Sequence, residues 1–161
     1  MRQVARDGPT MKIAIGSDHR GFEAKRRLVN TLQAMGHSVT DMGTTAADSV
    51  DYPDYAFAVA KLVGGGEAER GILVDGTSLG MCIAANKVRA VRAVSCHDLI
   101  TAEMSRRHND ANVLCLSADL VGEELMAQMI RVWLDTPFEG GRHARRVEKI
   151  AQIEAGEFGK T

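Results

Sequence analysis

The stretch ILVDGTSLGMCIAANK, residues 72–87, decides the fold of this sequence. A short apolar run stops at an acid, Asp75, passes through a turn bounded by Gly76 and Gly80, and resumes as an alanine-rich segment. A strand that enters a helix through a glycine-rich turn is typical of parallel α/β sheets. The stretch therefore predicts a strand, a turn and a helix, with a carboxylate where the strand ends.

The same alternation of strand and helix extends over the rest of the chain. Runs rich in apolar and β-branched residues predict five strands, at 12–17, 37–43, 71–75, 90–96 and 111–118. Apolar residues at helical spacing predict helices at 21–36, 55–63, 81–88, 97–109, 122–136 and 142–158. This order indicates an α/β protein with a five-stranded parallel sheet between two layers of helices, a three-layer α-β-α sandwich.

Length and composition fit a single domain and exclude several classes of function. The chain has 161 residues, 45% of them hydrophobic, and a net charge of −1, so it offers no basic surface for nucleic acid or for a membrane. No apolar run approaches the roughly 20 residues of a membrane span. Residues 1–10 contain Gly8-Pro9 and lack the apolar core of a signal peptide, so we expect a flexible leader before a domain at 11–158.

The cysteines and histidines predict neither disulfides nor a metal site. Cys82, Cys96 and Cys115 are odd in number, form no CxxC pair, and lie in or beside apolar segments. Reduced thiols of this kind are typical of a cytoplasmic protein, which is the location we expect. The five histidines are scattered, and no HExxH motif occurs.

Polar motifs are expected at the carboxyl ends of the strands, where parallel α/β sheets bind ligands. GSDHRG follows the first strand, DGTSLG follows the third, and His108-Asn109-Asp110 ends a helix near the fourth and fifth. The N–H groups of the DGTSLG turn form an anion site suited to a phosphate or an enediolate, and Thr77 and Ser78 add hydroxyl donors. The turn matches neither GxGxxG nor a phosphate loop with GK[ST], and the alternative is a plain strand–helix connection.

Other polar groups also have structural alternatives. Asp18 is either a ligand-binding acid or a helix cap, and the same choice holds for His108 and its neighbours. The last helix carries several cations on one turn: Arg142, His143, Arg145 and Arg146. Such a run is usually a solvated face, but Arg142 and Arg146 are four residues apart and could clamp a phosphate together.

Taken together, these motifs resemble ribose-5-phosphate isomerase B and its relatives, which include galactose-6-phosphate and allose-6-phosphate isomerases. Five ordered blocks carry the resemblance from about Met11 to about Ile153: GSDHRGFEAK, DYPDYA, GTSLGMCIAANK, SRRHNDANVL and EGGRHARRVEKI. The resemblance implies a Rossmann-like sandwich and a homodimer, or a dimer of dimers, with active sites shared between chains and the last helix packed on the partner. It also implies aldose–ketose isomerisation of a sugar phosphate without a metal or redox cofactor.

The resemblance implies roles for the motifs that follow the first and third strands. Asp18 and His19 are expected to contact the sugar phosphate, with His19 toward the phosphate group. Tyr52, in the DYP segment, is expected to line the pocket. The backbone and hydroxyls of residues 76–80 are expected to hold the developing enediolate, with Thr77 as a donor, and charge stabilisation of this kind supplies much of the rate in such reactions.

The remaining motifs are assigned in the same way. The resemblance implies that His108 opens the furanose ring and that Asn109 binds a sugar hydroxyl. It implies that Arg142 and Arg146 grip the phosphate by reaching across the dimer. In the reaction, a base takes the proton from the carbon next to the carbonyl and returns it to the neighbouring carbon.

The base is the first place where this chain departs from the family. One branch has a cysteine where Asp75 stands, and the other uses a glutamate where this chain has Met81. A thiol is mostly protonated at neutral pH, which costs about 2 kcal/mol, whereas an aspartate is ionised but less basic, which costs about 3 kcal/mol. Because these costs nearly cancel, Asp75 is the predicted base. The alternative is Cys82, in the first turn of the next helix, where the helix dipole acidifies a thiol.

Asp119 is the second departure. Many relatives carry an arginine here that faces the substrate, whereas an acid repels a phosphate. We expect Asp119 either to accept hydrogen bonds from sugar hydroxyls or to face solvent. The expected substrate is therefore ribose 5-phosphate or another sugar phosphate, such as a tetrose, allose or galactose phosphate. The alternative from another class is a sugar-phosphate-binding protein without catalysis.

Overall fold

The structure is a computed structural model that describes residues 9–159. Within these residues the strands are β1 (Lys12–Ser17), β2 (Ser38–Asp41), β3 (Arg70–Asp75), β4 (Ala93–Ser95) and β5 (Val113–Ser117). The helices are α1 (Phe22–Ala34), α2 (Tyr52–Gly64), α3 (Leu79–Ala85), α4 (Leu99–Asn109), α5 (Glu123–Asp135) and α6 (Arg142–Glu154). The leader expected at 1–10 lies almost entirely outside the described residues.

All five strands are parallel and lie in the order β2-β1-β3-β5-β4. Each of the first four strands is followed by a helix that returns the chain to the edge where the next strand begins, as parallel pairing requires. One face of the sheet packs against Leu32 of α1 and Trp133 of α5. The other face packs against Val59 of α2 and Met81 of α3. The predicted three-layer sandwich is confirmed.

The central strands form because their side chains are apolar on both faces. Every residue of β5 is buried, and so is every residue of β1 after Lys12 and of β3 after Arg70. Edge strand β2 has no buried residue. Each large aliphatic side chain that is fully buried contributes roughly 1.5–3 kcal/mol. Continuous apolar runs therefore specify these strands better than an alternating pattern does.

Most elements differ from the sequence prediction by one or two residues at an end, and four differ by more. α2 begins at Tyr52 rather than at 55, and α6 ends at Glu154 rather than at 158. β4 was expected at 90–96 but covers only Ala93–Ser95, because Ala90 is in the left-handed region, with φ 63°, and cannot extend the strand. The side chain of Asn112 accepts a hydrogen bond of 2.7 Å from the N–H of Arg92. α3 begins at Leu79 rather than at 81, so the turn before it is shorter than expected. No described helix is long and apolar enough to cross a bilayer.

The parallel strands give the sheet a carboxyl edge, where they end, and an amino edge, where they begin. At the carboxyl edge β1, β3 and β5 finish side by side, with Ser17 paired to Val74 and Asp75 paired to Ser117. The chain passes from β1 to β2 on one side, whereas the strands after β3 lie on the other side. The ends of β1 and β3 are therefore a topological switch point, the usual ligand site of such sheets.

His108 lies at the amino edge. It belongs to the last turn of α4, which ends at Asn109, just before β5 begins at Val113. The length of β5, from Val113 to Ser117, is about 13 Å of extended chain and separates the two edges. The expectation that His108-Asn109-Asp110 joins the other motifs at the carboxyl ends of the strands is therefore wrong, because a helix leading into a parallel strand ends where that strand starts.

Candidate active site

The turn after β3 holds the side chain of Asp75 in a fixed position. Only 5% of Asp75 is exposed. Its Oδ1 accepts hydrogen bonds from the N–H of Thr77, at 3.0 Å, and from the N–H of Ser78. Its Oδ2 accepts a hydrogen bond from the N–H of Met81 at 3.2 Å. The carboxylate is therefore neither turned out to solvent nor, among the described residues, paired with a cation.

Burial makes Asp75 a stronger base than an ordinary aspartate. Removal from water raises the pKa of Asp75, and the nearby carboxylate of Asp18 raises it further. Hydrogen bonds from the N–H groups of Ser78, Met81 and Thr77 oppose this shift but do not cancel it. A carboxylate of raised basicity is suited to accept a proton from carbon.

The hydrogen bonds to Asp75 change which donors of the turn remain for a ligand. The N–H groups of Leu79 and Gly80, in the first turn of α3, have no partner among the described residues. Thr77 is exposed, and its hydroxyl has no hydrogen bond within residues 9–159. The hydroxyl of Ser78, expected to face the ligand, instead lies 2.5 Å from Ser95 Oγ and donates to the carbonyl of Thr77. The open donors are therefore fewer than expected.

Three further predicted residues border this turn. Asp18 is 5% exposed, and its Oδ1 accepts hydrogen bonds from the N–H groups of Arg20 and Gly21, at 2.9 and 3.1 Å. Asp18 therefore closes the turn before α1 with one oxygen and keeps the other open. His19 accepts a hydrogen bond of 3.3 Å from the N–H of Val50 at Nδ1, which leaves Nε2 as a donor. The ring of Tyr52 packs on Gly80, where a Cβ would come within 2.6 Å of it.

The two other positions considered for the base are less suited to that role. Met81 is fully buried in the core between α3 and the sheet. Cys82 is half-buried, and its Sγ lies 3.4 Å from the carbonyl oxygen of Ala93. A hydrogen bond from the Cys115 thiol lowers the pKa of Cys82, although burial and the charge of Asp75 act in the opposite direction. The Cys82 thiol is thus held by neighbours on the core side of α3.

Asp119 does not point freely into solvent. Its Oδ2 accepts hydrogen bonds from Arg20 Nε, at 3.0 Å, and from Arg20 Nη2, at 2.6 Å. Both side chains lie against Gly76, where a Cβ would come within 2.9 Å of Arg20 Nε and of Asp119 Oδ2. The acid at this position is therefore part of an ion pair beside the turn that carries Asp75.

A second cluster lies at the amino edge and is built from side chains of α4, α6 and the loop before α6. The rings of His108 and His143 are stacked, with centroids 4.1 Å apart and an interplanar angle of 4°. Glu139 Oε2 lies 3.8 Å from His108 Nε2 and 3.5 Å from His143 Nε2. Arg107 binds the other oxygen of Glu139, with its Nε at 2.6 Å. This contact lowers the pKa of Glu139 and keeps it ionised beside the two rings.

The basic residues of α6 differ in their burial. His143 is 5% exposed, and burial together with the neighbouring charge of His108 lowers its pKa, so His143 is neutral at pH 7. Arg142 and Arg146 are exposed, and neither forms an ion pair with a described residue. Arg142 Nε lies 3.4 Å from His143 Nε2. Asn109 is exposed and borders a cavity of about 570 Å³ beside Ile150 and Ile153.

The amino-edge cluster is a poor cation site despite its ligand types. The ligand atoms of His108, Glu139 and His143 lie within 4.8 Å of one another, close enough for a metal ion. However, Arg107 binds both Glu139 and Glu103, and Arg142 directs its Nε at His143 Nε2. A further positive ion would be repelled by both guanidinium groups.

The predicted site residues thus fall into two groups within one chain. The carboxyl-edge group contains Asp18, His19, Tyr52 and residues 75–80, and the structure brings these together. The amino-edge group contains His108, Asn109, Arg142 and Arg146. Because the sheet lies between them, one chain cannot direct both groups at the same small molecule.

Sequence reasoning missed three features of these groups. The pairing of Arg20 with Asp119 joins residues 99 positions apart and gives no local signal. Glu139 was not singled out, although the glycines that follow it, with φ of 68° and 53°, mark a sharp turn that brings it over α4. His143 was grouped with solvated cations, but it is buried. Its position one residue after Arg142 gave no indication of this.

A buried carboxylate of raised pKa at the switch point of a doubly wound sheet is typical of the small-molecule site of an α/β enzyme. Residues 13–150 match the family described as Ribose/Galactose Isomerase. The chain is 48% identical to ribose-5-phosphate isomerase B of Escherichia coli (strain K12) over 143 residues, which cover 89% of this chain and 96% of that protein. The chain belongs to the ribose/galactose isomerase family, as its sequence motifs predicted.

Two further relatives extend this comparison. The structure of Clostridium thermocellum ribose-5-phosphate isomerase B is similar with a TM-score of 0.89 and 49% identity, and the match covers 91% of this chain and 99% of that one. D-erythrulose-4-phosphate isomerase of Pectobacterium atrosepticum is 42% identical over 145 residues, covering 89% of this chain and 95% of that protein. Members of this family are therefore named for sugar phosphates that differ in the number of carbon atoms.

Proposed function

We propose that this protein interconverts an aldose phosphate and a ketose phosphate, with Asp75 as the base and ribose 5-phosphate as the expected substrate. The observation that carries the proposal is the environment of Asp75. Its carboxylate is buried at the switch point, has a raised pKa, and has no cationic partner among the described residues. These properties are those required of a group that removes a proton from carbon at neutral pH.

The reaction follows from the groups around this carboxylate. Asp75 takes the proton from C2 of the open-chain aldose, and the electron pair of that C–H bond forms the C1–C2 double bond while negative charge moves to O1. In this scheme the N–H groups of Leu79 and Gly80 and the hydroxyl of Thr77, which have no partner within residues 9–159, donate hydrogen bonds to the enediolate. The hydroxyl proton of O2 is transferred to O1, Asp75 returns its proton to C1, and the carbonyl forms at C2.

The phosphate and the sugar ring require groups that this edge of the sheet does not provide. We propose that His108, Asn109, Arg142 and Arg146 of a second copy complete the site, so that the protein acts as a homodimer. The support is the separation of the two groups by the sheet, together with the guanidinium groups of Arg142 and Arg146, which form no ion pair within residues 9–159. Two such sites form in a twofold dimer because each copy gives its carboxyl edge to one site and its amino edge to the other.

Exposed apolar side chains on α3, α4 and α6 support this dimer. Ile83 on α3 is 63% exposed, Ile100 on α4 is 71% exposed, and Ile153 on α6 is 60% exposed. The surface between α3, β4 and α6 also contains the apolar cavity that Asn109 borders. Apolar surface of this extent is typical of a protein–protein interface. A second copy of the chain is the partner that these helices would pack against.

A subunit-mixing experiment tests the base and the shared site together. Asp75→Asn and His108→Asn chains carry different affinity tags, are made in the same cells, and are purified through both tags so that only mixed dimers remain. If each site uses Asp75 of one chain and His108 of the other, one of the two sites in every mixed dimer is intact. We expect about half of the wild-type turnover, whereas each variant alone is inactive on ribose 5-phosphate.

The outcomes separate the parts of the proposal. A mixed dimer without activity, from variants that fold normally, contradicts the sharing of the site. Full activity of Asp75→Asn alone contradicts the role of Asp75. Incubation with ribose 5-phosphate in deuterated water distinguishes catalysis from binding, because only an isomerase exchanges the hydrogen on the carbon next to the carbonyl. Absence of exchange in the wild-type protein, with binding retained, would indicate a sugar-phosphate-binding protein instead.

A tetrose phosphate is the second candidate substrate. Two observations favour it: the acid at position 119 beside the turn, and the similarity to D-erythrulose-4-phosphate isomerase. A tetrose 4-phosphate has no free hydroxyl that can close a five-membered ring, so it needs no ring opening. His108→Asn should therefore abolish conversion of ribose 5-phosphate but leave most of the turnover of a tetrose 4-phosphate. Equal losses on both substrates would show that His108 does not act on the ring.

A further inference from the structure

The ion pair of Arg20 and Asp119 lies directly beside the proposed base. Arg20 follows β1, Asp119 follows β5, and the two side chains meet over Gly76 at the end of β3. Both backbones are fixed, because the N–H of Arg20 donates to Asp18 at 2.9 Å and the N–H of Asp119 donates to the carbonyl of Gly76 at 3.1 Å. The pair therefore has a defined position on the carboxyl edge.

Exposure indicates that the pair does little to stabilise the fold. The side chain of Arg20 is 57% exposed and that of Asp119 is 38% exposed. An ion pair this open to water adds little to folding stability, because solvent screens it and two long side chains lose freedom. The pair is therefore more important for a ligand that binds at the carboxyl edge than for the packing of the core.

The pair leaves one donor group and one acceptor side by side. Arg20 uses Nε and Nη2 to bind a single oxygen of Asp119, Oδ2. Arg20 Nη1 and Asp119 Oδ1 have no hydrogen-bond partner among residues 9–159. A guanidinium N–H can donate to a sugar hydroxyl oxygen while the neighbouring carboxylate oxygen accepts a hydroxyl hydrogen. This combination matches a hydroxyl group, or two adjacent hydroxyl groups, of a sugar.

We propose that Arg20 and Asp119 form the subsite that binds the hydroxyl group on C3 of the sugar, next to the two carbons that react. This inference rests on the proposed function, since it takes Asp75 as the base acting at C2. The ion pair has no net charge, so it does not attract a phosphate, whereas Arg142 and Arg146 are unpaired within the described part of the chain. Arg20 and Asp119 thus select the sugar by its hydroxyls, and Arg142 and Arg146 bind its phosphate.

The test compares ribose 5-phosphate with its 3-deoxy analogue in the wild-type protein and in Arg20→Ala, Asp119→Ala and the double variant. We expect the ratio of kcat/KM for the two substrates to fall at least about tenfold in each single variant, because the wild-type site leaves polar groups unpaired when the hydroxyl is missing. The double variant should show no further fall, since the two residues act as one unit. The inhibition constant of inorganic phosphate should stay unchanged.

The controls make each outcome decisive. Arg26→Ala removes an equally exposed partner of a surface ion pair on α1, with side-chain exposures of 61% and 57%, and should change neither ratio nor fold. An unchanged ratio in the Arg20 and Asp119 variants overturns the inference. So does a weaker inhibition by inorganic phosphate in Arg20→Ala, which would assign Arg20 to the phosphate. If the wild-type protein converts no sugar phosphate at all, the proposed function fails, and this inference fails with it.

Discussion

The two edges of the sheet hold polar groups by different means. At the carboxyl edge Asp75 is fixed by three N–H groups of its own turn, and Asp18 is fixed by two N–H groups of another. At the amino edge His108 is fixed by side chains alone, through stacking on His143 and proximity to Glu139. Backbone N–H groups hold Asp75, which we propose for the proton transfer. Small displacements of the reacting groups reduce the rate most at this step. Side chains hold His108, which we propose for ring opening.

The difference also concerns charge. At the carboxyl edge burial raises the pKa of Asp75, and the neighbouring carboxylate of Asp18 raises it further. The amino edge presents exposed guanidinium groups on α6 around a neutral histidine. Among residues 9–159, the carboxyl edge has no guanidinium group free of an ion pair for a phosphate, and the amino edge has no buried carboxylate to act as the base. Under the shared-site proposal, each edge receives what it lacks from the edge of a second copy.

Replacing Asp75, which backbone N–H groups hold in place, should reduce the turnover more than any other change. Asp75→Asn removes the basic oxygen but keeps the shape, and we expect kcat to fall by about a thousandfold while sugar-phosphate binding is retained. The amide nitrogen of asparagine can also face the N–H of Met81, so some loss of stability is expected. Steady-state kinetics and calorimetric binding measure the two effects, and a thermal melt confirms the fold. Retained turnover would remove Asp75 from the mechanism.

Asp75→Cys sharpens the same comparison through pH dependence. Activity of the wild-type protein should decline as pH falls through the raised pKa of Asp75, because protonation removes the base. A thiol has an ordinary pKa near 8.5, so the corresponding limb of the kcat/KM profile in Asp75→Cys should move toward alkaline pH. The measurement is a pH series for both proteins under identical conditions. Coincident profiles would show that another group sets this limb.

Removing the cations of the amino edge should have the next largest effect. In the double variant Arg142→Ala, Arg146→Ala we expect KM to rise by about a hundredfold with a smaller change in kcat, because charged hydrogen bonds to the phosphate are lost. Arg145→Ala, an exposed neighbour on the same helix, is the matched control and should keep the wild-type KM. If the double variant also keeps it, the phosphate binds elsewhere.

The buried histidine of the amino edge should give stability a pH dependence. The pKa of His143 is lowered in the folded protein, so below its ordinary value near 6.5 the unfolded chain binds a proton that the folded chain does not. Its contribution to stability is therefore present above pH 6.5 and is lost as pH falls through the lowered pKa. Melting temperatures between pH 7.5 and about 5 should fall less steeply in His143→Gln. Equal slopes would contradict the burial of a neutral ring.

The smallest effect is expected at Cys82. If Asp75 is the base, Cys82→Ala should keep kcat within about threefold, since the thiol contacts the Ala93 carbonyl, Asn86, Cys115 and the backbone of Ser95. The assay is the same as for Asp75→Asn, with the two variants run in parallel. A loss as large as that of Asp75→Asn would instead assign the proton transfer to Cys82.

The sequence was sufficient for most of the fold because the decisive signals are local. The apolar run 12–17 is β1 without change, and the strand predicted at 71–75 differs from β3 only by Arg70. β4 was predicted too long because the left-handed conformation of Ala90 and the side chain of Asn112 depend on neighbours distant in sequence. The edge on which His108 lies could have been predicted, since α4 leads into a parallel strand.

The sequence predicted the site only where a motif and the local backbone conformation together determine the position of a residue. The strand–turn–helix stretch placed Asp75 and the glycines correctly beside Asp18. It could not show that the N–H groups of Thr77, Ser78 and Met81 bind Asp75 rather than a ligand, because this depends on the left-handed φ of Ser78, 69°. The partnership of Arg20 with Asp119 and the stacking of His143 on His108 depend on tertiary contacts. Periodicity and spacing do not carry this information.

The placement of His108 and Asp75 at opposite ends of the strands has a kinetic consequence under the shared-site proposal. A folded but dissociated chain holds only half of each set of reacting groups, so dilution alone should switch turnover off. At subunit concentrations well below the dissociation constant of the dimer, the initial rate should rise with the square of the concentration rather than in proportion to it.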